Sequence, residues 1–222
     1  MMSKLLKITV IAMAALFASV SFAGKIKVAC VGDSITYGYG IKDGTKTYPQ
    51  QLGRLLGDKY EVENFGVSGT TVLQKGNSPY MATQKYQQSL NFQPKILVIK
   101  LGTNDSKAVN IAHIDEFKSD VKKLIASYEK LSSKPKIYLC LPIPSTLKGV
   151  RPLMINGDRI VNEIIPLLKK VAADSKSVTL IDLFSVYPAK DELLPDKIHP
   201  NAEGAGIIAD TVAKAILSDK RP

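Results

Sequence analysis

Several patterns that mark common classes of protein are missing from this chain of 222 residues. No P-loop lysine pattern follows Gly32, and Gly38-Tyr39-Gly40 lacks the third glycine of a dinucleotide-binding fingerprint. The segment Gly66-Val67-Ser68-Gly69 does not match G-x-S-x-G, the nucleophile motif of α/β-hydrolases. No arginine-rich helix or alternation of basic and aromatic residues indicates nucleic-acid binding. These absences argue against a nucleotide cofactor and against a nucleic-acid partner.

Internal repeats, low-complexity tracts and interdomain linkers are missing too, so the length predicts one domain. The first 23 residues differ in character, because Lys4 and Lys7 flank the start of an apolar stretch and Ser21-Phe22-Ala23 supplies small residues before a cleavage point. This pattern is typical of a secretory signal peptide, and the apolar stretch is short for a membrane anchor. We therefore expect a cleaved signal peptide, 1–23, and a single domain, 24–222. The mature protein would be periplasmic or secreted, with no stable membrane anchor.

Basic residues remain in excess after this cleavage. The full chain has 30 Lys and Arg and 20 Asp and Glu; two lysines lie in the signal peptide, leaving 28 against 20 and a net charge of +8. Such a charge is compatible with anionic glycans or membrane surfaces as partners. The lysines are scattered, however, and a solvated basic surface explains them more simply.

Short apolar runs alternate with helical patterns along the chain. Strands are predicted at 26–31, 60–64, 95–101, 136–141 and 178–182, and helices at 48–57, 114–131, 156–174 and 201–217. This alternation predicts a parallel sheet with helices on both faces. Two long connections, 66–94 and 142–155, leave the carboxyl ends of strands and should border a cleft. Tyr80, Arg151 and Asn156 are candidate substrate contacts there, although a packed surface loop is the simpler explanation for each.

Four polar blocks lie where predicted strands end or where a loop returns to that edge, which is where open α/β sheets bind ligands. They are Gly32-Asp33-Ser34-Ile35, Asn64-Phe65-Gly66-Val67-Ser68-Gly69, Gly102-Thr103-Asn104-Asp105 and Asp196-Lys197-Ile198-His199-Pro200.

A serine needs a neighbouring base to act as a nucleophile. One local turn can present Asp196 and His199 on the same side, whereas a capping or surface role explains His113, the other histidine. An Asp-x-x-His pair alone is better explained by a helix start. The pair Asp196 and His199, taken together with Ser34 and Asn104, predicts a catalytic site. Ser68 is a weaker candidate for the nucleophile of this site.

The four blocks resemble those of the SGNH hydrolases, also called the GDSL esterase/lipase family, and the resemblance extends from Gly32 to the final helix. It implies an α/β fold, a three-layer α/β/α sandwich with a flavodoxin-like five-stranded parallel sheet in the order 2-1-3-4-5. It also implies that Ser34 is the nucleophile of a catalytic triad with Asp196 and His199. The implied oxyanion hole consists of the backbone N–H groups of Ser34 and Gly66 and the side-chain amide of Asn104.

In that strand order the two cysteines do not lie on neighbouring strands. Cys30 and Cys140 fall on strands two steps apart, about 9–10 Å, whereas a disulfide requires Cα atoms closer than about 7 Å. We therefore expect two buried free thiols and no metal site.

The function predicted on this basis is that of a serine esterase. It would hydrolyse carboxylic esters of small molecules or glycans through an acyl-enzyme, with no metal or other cofactor, and similarity to single-domain exported members suggests short acyl groups, first of all acetyl on carbohydrate. A lysophospholipase or acyl-thioesterase of the same fold is the enzymatic alternative. A non-catalytic glycan-binding module is the alternative of another class, which the absence of tryptophan, a common sugar-stacking residue, weakens. The sequence leaves the oligomeric state open.

Overall fold

A parallel β-sheet forms the centre of the computed structural model, which describes residues 24–188 and 190–220. Its five strands lie in the order β2-β1-β3-β4-β5, and every neighbouring pair is parallel. The strands are β1 (Ile26–Gly32), β2 (Tyr60–Gly66), β3 (Ile96–Lys100), β4 (Lys136–Cys140) and β5 (Val178–Ile181). This order confirms the arrangement that the family resemblance implies. The predicted signal peptide, 1–23, lies outside the described residues.

Helices cover both faces of the sheet and complete the three layers. They are α1 (Ser34–Tyr37), α2 (Tyr48–Leu56), α3 (Gln84–Asn91), α4 (Ala108–Ile111), α5 (Ile114–Glu129), α6 (Gly157–Arg159), α7 (Ile165–Ala173), α8 (Leu183–Val186) and α9 (Ala202–Ser218). Single 3₁₀ turns occur at Gly44–Lys46, Tyr80–Ala82 and Asn104–Ser106. Across the described ranges, no helix is both long enough and apolar enough to cross a membrane.

The two faces of the sheet explain why β1 is apolar at consecutive positions. Val28 and Cys30 belong to the buried cluster that includes residues of α2 and α9. Ala29 and Val31 belong to a second cluster, which includes residues of α5 and α7. A strand covered on both faces needs apolar side chains throughout, so its sequence is a continuous apolar run rather than an alternating one.

All four predicted helices are present, but one is interrupted. Instead of one helix over 156–174, the chain forms α6, a π-helical turn at Ile160–Ile164, and then α7. Pro166 stands at the start of α7, and a proline has no backbone N–H with which to continue a regular α-helix. A π-helical turn accommodates this local change in hydrogen bonding.

Helix α3 lies within the connection 66–94 and was not predicted from the sequence. The helix is mostly polar, and its buried residues are Tyr86 and Ser89 alone. Its start is fixed by Thr83, whose hydroxyl accepts a hydrogen bond from the Tyr86 N–H at 3.1 Å. Two buried positions are too few to produce a recognisable helical period.

The two cysteines are free and buried. Cys30 lies in β1 and Cys140 in β4, and β3 separates these strands as expected. Burial raises the pKa of the Cys140 thiol to about 12 and that of Cys30 well above its ordinary value.

Candidate active site

The carboxyl ends of three neighbouring strands are level. Gly32 of β1 pairs with Gly66 of β2 on one side and with Lys100 of β3 on the other. The segments that follow these residues therefore leave the sheet side by side. This register brings Ser34, the loop after Gly66 and Asn104 to one edge of the sheet, as the sequence predicts.

Ser34 is the first residue of α1, and its neighbours fix it there. A Cβ atom at Gly32 would overlap the Thr36 side chain and the Lys100 carbonyl oxygen, so only glycine fits where β1 ends. Asp33 caps the helix, because its Oδ1 accepts a hydrogen bond from the Ile35 N–H at 3.0 Å. The serine is thus held on a tight strand-to-helix turn and is 8% exposed.

A continuous chain of hydrogen bonds joins the three predicted triad residues. His199 Nε2 lies 2.8 Å from Ser34 Oγ, and His199 Nδ1 lies 2.6 Å from Asp196 Oδ2. The other carboxylate oxygen, Oδ1, accepts the N–H groups of Ile198 at 3.0 Å and His199 at 2.7 Å. Asp196 therefore fixes both the backbone and the ring of the histidine.

Helix capping does not explain Asp196. The cap of α9 is Asn201, whose Oδ1 accepts a hydrogen bond from the Gly204 N–H at 2.9 Å. Partial burial raises the pKa of Asp196, but the hydrogen bonds from His199 and Ile198 outweigh it, and the pKa lies below its usual value. The carboxylate is therefore ionised at neutral pH and can stabilise a positively charged imidazole. The other histidine, His113, precedes α5 without capping it through its side chain.

The structure contradicts the prediction that Gly66 belongs to the oxyanion hole. Its N–H already donates to Asn64 Oδ1 at 2.8 Å, and a Cβ atom there would overlap the backbone of Tyr37. Gly66 is thus the last residue of β2 and does not line the cavity beside Ser34. Gly69, the next glycine of the same block, does line the cavity, and it has a left-handed φ of +84°. Its N–H donates to no atom of the described residues.

A better estimate of the end of β2 would have separated these two glycines. The sequence analysis ends the strand at residue 64, whereas it continues to Gly66. Gly66 still belongs to the strand, its N–H is bonded to Asn64 Oδ1, and it does not reach the cavity. The next glycine of the same block, Gly69, is then the first one free to face a ligand.

Asn104 lines the cavity and joins two of the converging segments. Its Nδ2 donates to the Thr70 carbonyl oxygen at 3.1 Å, which leaves its second amide hydrogen for a ligand. The backbone carbonyl oxygen of Asn104 accepts a hydrogen bond from Asn110 Nδ2 at 2.8 Å. The side chain of Asn104 is thus held by Thr70, and its backbone is held by Asn110.

Asp105 holds the loop that carries Gly69. The carboxylate accepts the N–H of Leu73 at 2.9 Å and that of Val72 at 3.2 Å. Burial raises the pKa of Asp105 to about 7, although these backbone hydrogen bonds act in the opposite direction. The block 102–105 therefore supplies a cavity residue, Asn104, and a carboxylate, Asp105, whose hydrogen bonds hold the loop after Gly69 in place.

A model of the GDSL-like lipase/acylhydrolase family matches residues 30–207. The chain belongs to this family. Its membership confirms the resemblance on which the prediction of a carboxylic ester hydrolase rests.

Two curated relatives are esterases longer than this chain. An acetylxylan esterase from Xylanibacter ruminicola is 41% identical over 210 residues, which cover 86% of this chain and 43% of the relative. A multidomain esterase from Ruminococcus flavefaciens is 32% identical over 217 residues, which cover 83% of this chain and 27% of the relative. The chain thus spans less than half the length of each.

Solved structures of family members have the same fold. A carbohydrate acetylesterase from Sinorhizobium meliloti superposes with a TM-score of 0.71 at 20% identity, covering 87% of this chain and 99% of that one. An aryl esterase from M. smegmatis gives a TM-score of 0.70 at 20% identity, covering 88% and 99%. At this level of identity, the likeness concerns the fold alone.

Next to Ser34, this family member contains a buried ion pair, between Lys100 and Asp33, that was not predicted from the sequence. Lys100 Nζ lies 3.3 Å from Asp33 Oδ1, and both side chains are 0% exposed. The same ammonium donates to Thr103 Oγ1 at 2.9 Å. Burial lowers the pKa of Lys100, and the Asp33 charge opposes this shift. The available signal was a lysine at the end of an otherwise apolar strand, directly before the third block.

A cavity of about 340 Å³ opens beside Ser34 and His199. Its wall combines polar residues near the serine with an apolar side, and the lining residues are Ser34, Tyr39, Ser68, Gly69, Thr103, Asn104, Lys107, Leu147, Leu153, Met154, Ile155, Ile198 and His199. The Tyr39 ring packs against the His199 ring with centroids 4.5 Å apart. Within the described part of the chain, no group of three or more His, Cys, Asp or Glu side chains could hold a metal ion.

The three candidate substrate contacts do not line this cavity. Tyr80 is fully buried and donates its hydroxyl to the Phe65 carbonyl oxygen at 2.8 Å. Asn156 caps α6 by accepting the Arg159 N–H at 3.1 Å. Arg151 is exposed on the loop beside the cavity. The simpler, structural explanation therefore holds for Tyr80 and Asn156.

Proposed function

We propose that this protein is a serine esterase that removes acetyl groups from carbohydrate. The observation that carries the proposal is the hydrogen-bond chain from Asp196 through His199 to Ser34, beside an open cavity. The identity with an acetylxylan esterase supports the choice of acyl group and substrate class.

In the proposed reaction, Ser34 Oγ attacks the ester carbonyl carbon while its proton passes to His199 Nε2. Asp196 stabilises the resulting imidazolium through Nδ1. The carbon–oxygen bond to the sugar then breaks, and the leaving alkoxide takes the proton from Nε2, which leaves an acetyl-enzyme. A water molecule, deprotonated by the same nitrogen, attacks this ester and releases acetate as Ser34 regains its proton.

The proposed oxyanion hole consists of the N–H groups of Ser34 and Gly69 and the free amide hydrogen of Asn104. Ser34 and Gly69 present backbone donors that no other atom of the described residues accepts, and Asn104 is held in place by Thr70 and Asn110. Such fixed donors stabilise the negative charge that develops on the carbonyl oxygen.

The size of the cavity favours a short acyl group. Its volume of about 340 Å³ lies at the lower end of the range for ligand cavities, about 300–1,000 Å³. Its apolar side, which includes Leu147, Leu153 and Met154, is the feature that favours the alternative, an esterase for long acyl chains. The intact triad argues against a non-catalytic glycan-binding module.

The test is turnover of acetylated xylan and of p-nitrophenyl esters from acetate to palmitate. We expect the rate to fall as the acyl chain lengthens; a rising rate would favour the long-chain alternative. Ser34→Ala should abolish turnover and fluorophosphonate labelling. Ser68→Ala is the matched control, because Ser68 lines the same cavity but makes no hydrogen bond to His199. It should retain activity within a few-fold, and the opposite result for the two variants would refute the assigned nucleophile.

We also propose that the protein is exported. The support is the sequence pattern of residues 1–23. Expression of the full chain in a Gram-negative host should yield a periplasmic protein whose first residue is Gly24. An uncleaved amino terminus in the cytoplasmic fraction would contradict export.

A further inference from the structure

Lys107 introduces a cation into the wall of the catalytic cavity. It lines the cavity together with Ser34 and Asn104 and is partly buried. Its backbone position is fixed, because its N–H donates to the Asn104 carbonyl oxygen at 3.2 Å. Among the described residues, no side chain forms an ion pair or a hydrogen bond with its ammonium group.

The two carboxylates whose charges act on Lys107, Asp105 and Asp33, already have other partners. Asp33 is paired with Lys100, and Asp105 accepts two backbone N–H groups. Desolvation lowers the pKa of Lys107, while the charges of Asp105 and Asp33 oppose the shift. Partial burial of the Lys107 ammonium group is unfavourable in free energy, and no carboxylate forms an ion pair with it among the described residues.

The residues that line the cavity supply no carboxylate to neutralise this charge. None of the described residues that line it is an aspartate or a glutamate. Two further cations, Arg151 and Lys197, are exposed close in sequence to the lining residues Leu153 and Ile198, and neither forms an ion pair with a described residue. Asp196, which precedes Lys197 and bonds to His199, carries the opposite charge. The three cations, Lys107, Arg151 and Lys197, still outnumber it, and this excess of positive charge favours a negatively charged ligand.

We propose that Lys107 binds an anionic group of the substrate, so that the preferred substrate is an acetylated acidic glycan. The anion would be a carboxylate of a uronic acid or a sulfate on the sugar that carries the acetyl group or on its neighbour. This inference rests on the proposed esterase function and specifies its substrate class. Lys107 is then a specificity-determining residue rather than a member of the catalytic machinery.

A second role for the same cation predicts a different pattern of effects. If Lys107 stabilised the oxyanion near Asn104, its loss would slow the hydrolysis of every ester by the same factor and would act on kcat. A contact with an anion on the sugar instead affects only charged substrates and acts mainly on KM.

The test compares four O-acetylated methyl glycosides: a glucuronoside, its uncharged glucuronamide, a sulfated glucoside and a xyloside. A hydrogen bond to a charged group contributes about 1.5–3 kcal/mol, so we expect kcat/KM for the glucuronoside to exceed that for the glucuronamide by about 10- to 100-fold. The sulfated glucoside shows whether the site prefers sulfate or carboxylate. The preference for charge should weaken at high salt.

The variants are Lys107→Met, which removes the charge, and Lys107→Arg, which keeps it. We expect Lys107→Met to abolish the preference for charged substrates, so that kcat/KM for the glucuronoside falls to the value for the glucuronamide in the same variant. Lys107→Arg should retain the preference. Lys148→Met is the matched control. Lys148 is exposed on the connection 142–155, next to the lining residue Leu147, and it pairs with Asp158. This variant should behave as wild type.

Two results would overturn the inference: equal kcat/KM for glucuronoside and glucuronamide in the wild-type enzyme, or an equal loss on both in Lys107→Met. A failure of the proposed function would look different, since the wild-type enzyme would then hydrolyse none of the four acetates, or Ser34→Ala would hydrolyse them as well as wild type.

Discussion

The buried ion pair between Lys100 and Asp33 leads us to a quantitative prediction about the stability of the turn that carries Ser34. The perturbation is Lys100→Met, which keeps an unbranched chain of similar length but removes the charge. Asp33 then loses the ammonium group at 3.3 Å and keeps the Ile35 N–H at 3.0 Å. Because the site is fully buried, water cannot replace the missing partner.

The expected cost is large. Removing one partner of a buried pair costs about 3–5 kcal/mol, because the remaining charge is left unpaired. With an m-value of about 2 kcal/mol/M in urea, the unfolding midpoint should fall by roughly 1.5–2.5 M. The m-value itself should not change, since the same surface is exposed on unfolding.

Two further variants make the measurement specific. Lys122→Met removes an exposed ion pair, with Asp174 at 3.1 Å, and should change the unfolding free energy by less than about 1 kcal/mol. The double variant Asp33→Asn/Lys100→Met removes both buried charges and should be more stable than Lys100→Met alone. The reasoning is refuted if Lys100→Met costs no more than Lys122→Met, or if the double variant is the least stable of the set.

Three more predictions concern the site. Asp196→Asn should lower kcat about 10⁴-fold on p-nitrophenyl acetate, because an amide does not stabilise the imidazolium; a loss of only a few-fold in a folded variant would contradict its assigned role. Asn104→Ala should lower kcat about 10²- to 10³-fold with a smaller effect on KM, and an effect on KM alone would remove it from the oxyanion hole. The pKa of buried Asp105 is about 7, against 3.8 in an exposed carboxyl. The stability associated with its protonated form is therefore fully present below pH 3.8 and is lost as the pH rises toward 7. Urea unfolding at several pH values should show wild type losing stability relative to Asp105→Asn over this range, and parallel pH profiles would contradict the raised pKa.

The sheet could be predicted from sequence because its signal is local. Each strand is an apolar run bounded by polar residues, and the order follows from the family resemblance carried by the four blocks. The same four blocks made it possible to predict that Ser34, Asp196 and His199 lie together. The polar helix α3 and the π-helical turn before Pro166 do not produce a regular apolar period, so the sequence analysis missed them.

The remaining errors depend on contacts that sequence spacing does not reveal. The choice between Gly66 and Gly69 depended on where β2 ends, a matter of two residues. The pairing of Lys100 with Asp33 joins positions 67 residues apart, and it depends on the register between β1 and β3. Such a contact follows from the folded sheet and not from any local pattern.

The two free thiols can report when the interior of this protein becomes exposed to solvent. Cys30 and Cys140 sit on the interior strands β1 and β4, out of reach of an alkylating reagent while the sheet is intact. The rate of thiol modification should therefore follow the rate at which the sheet opens, and motions confined to the surface should not change it. A time course of iodoacetamide labelling, read by mass spectrometry, would then rank the variants described above by how often their interior becomes accessible, without any denaturant.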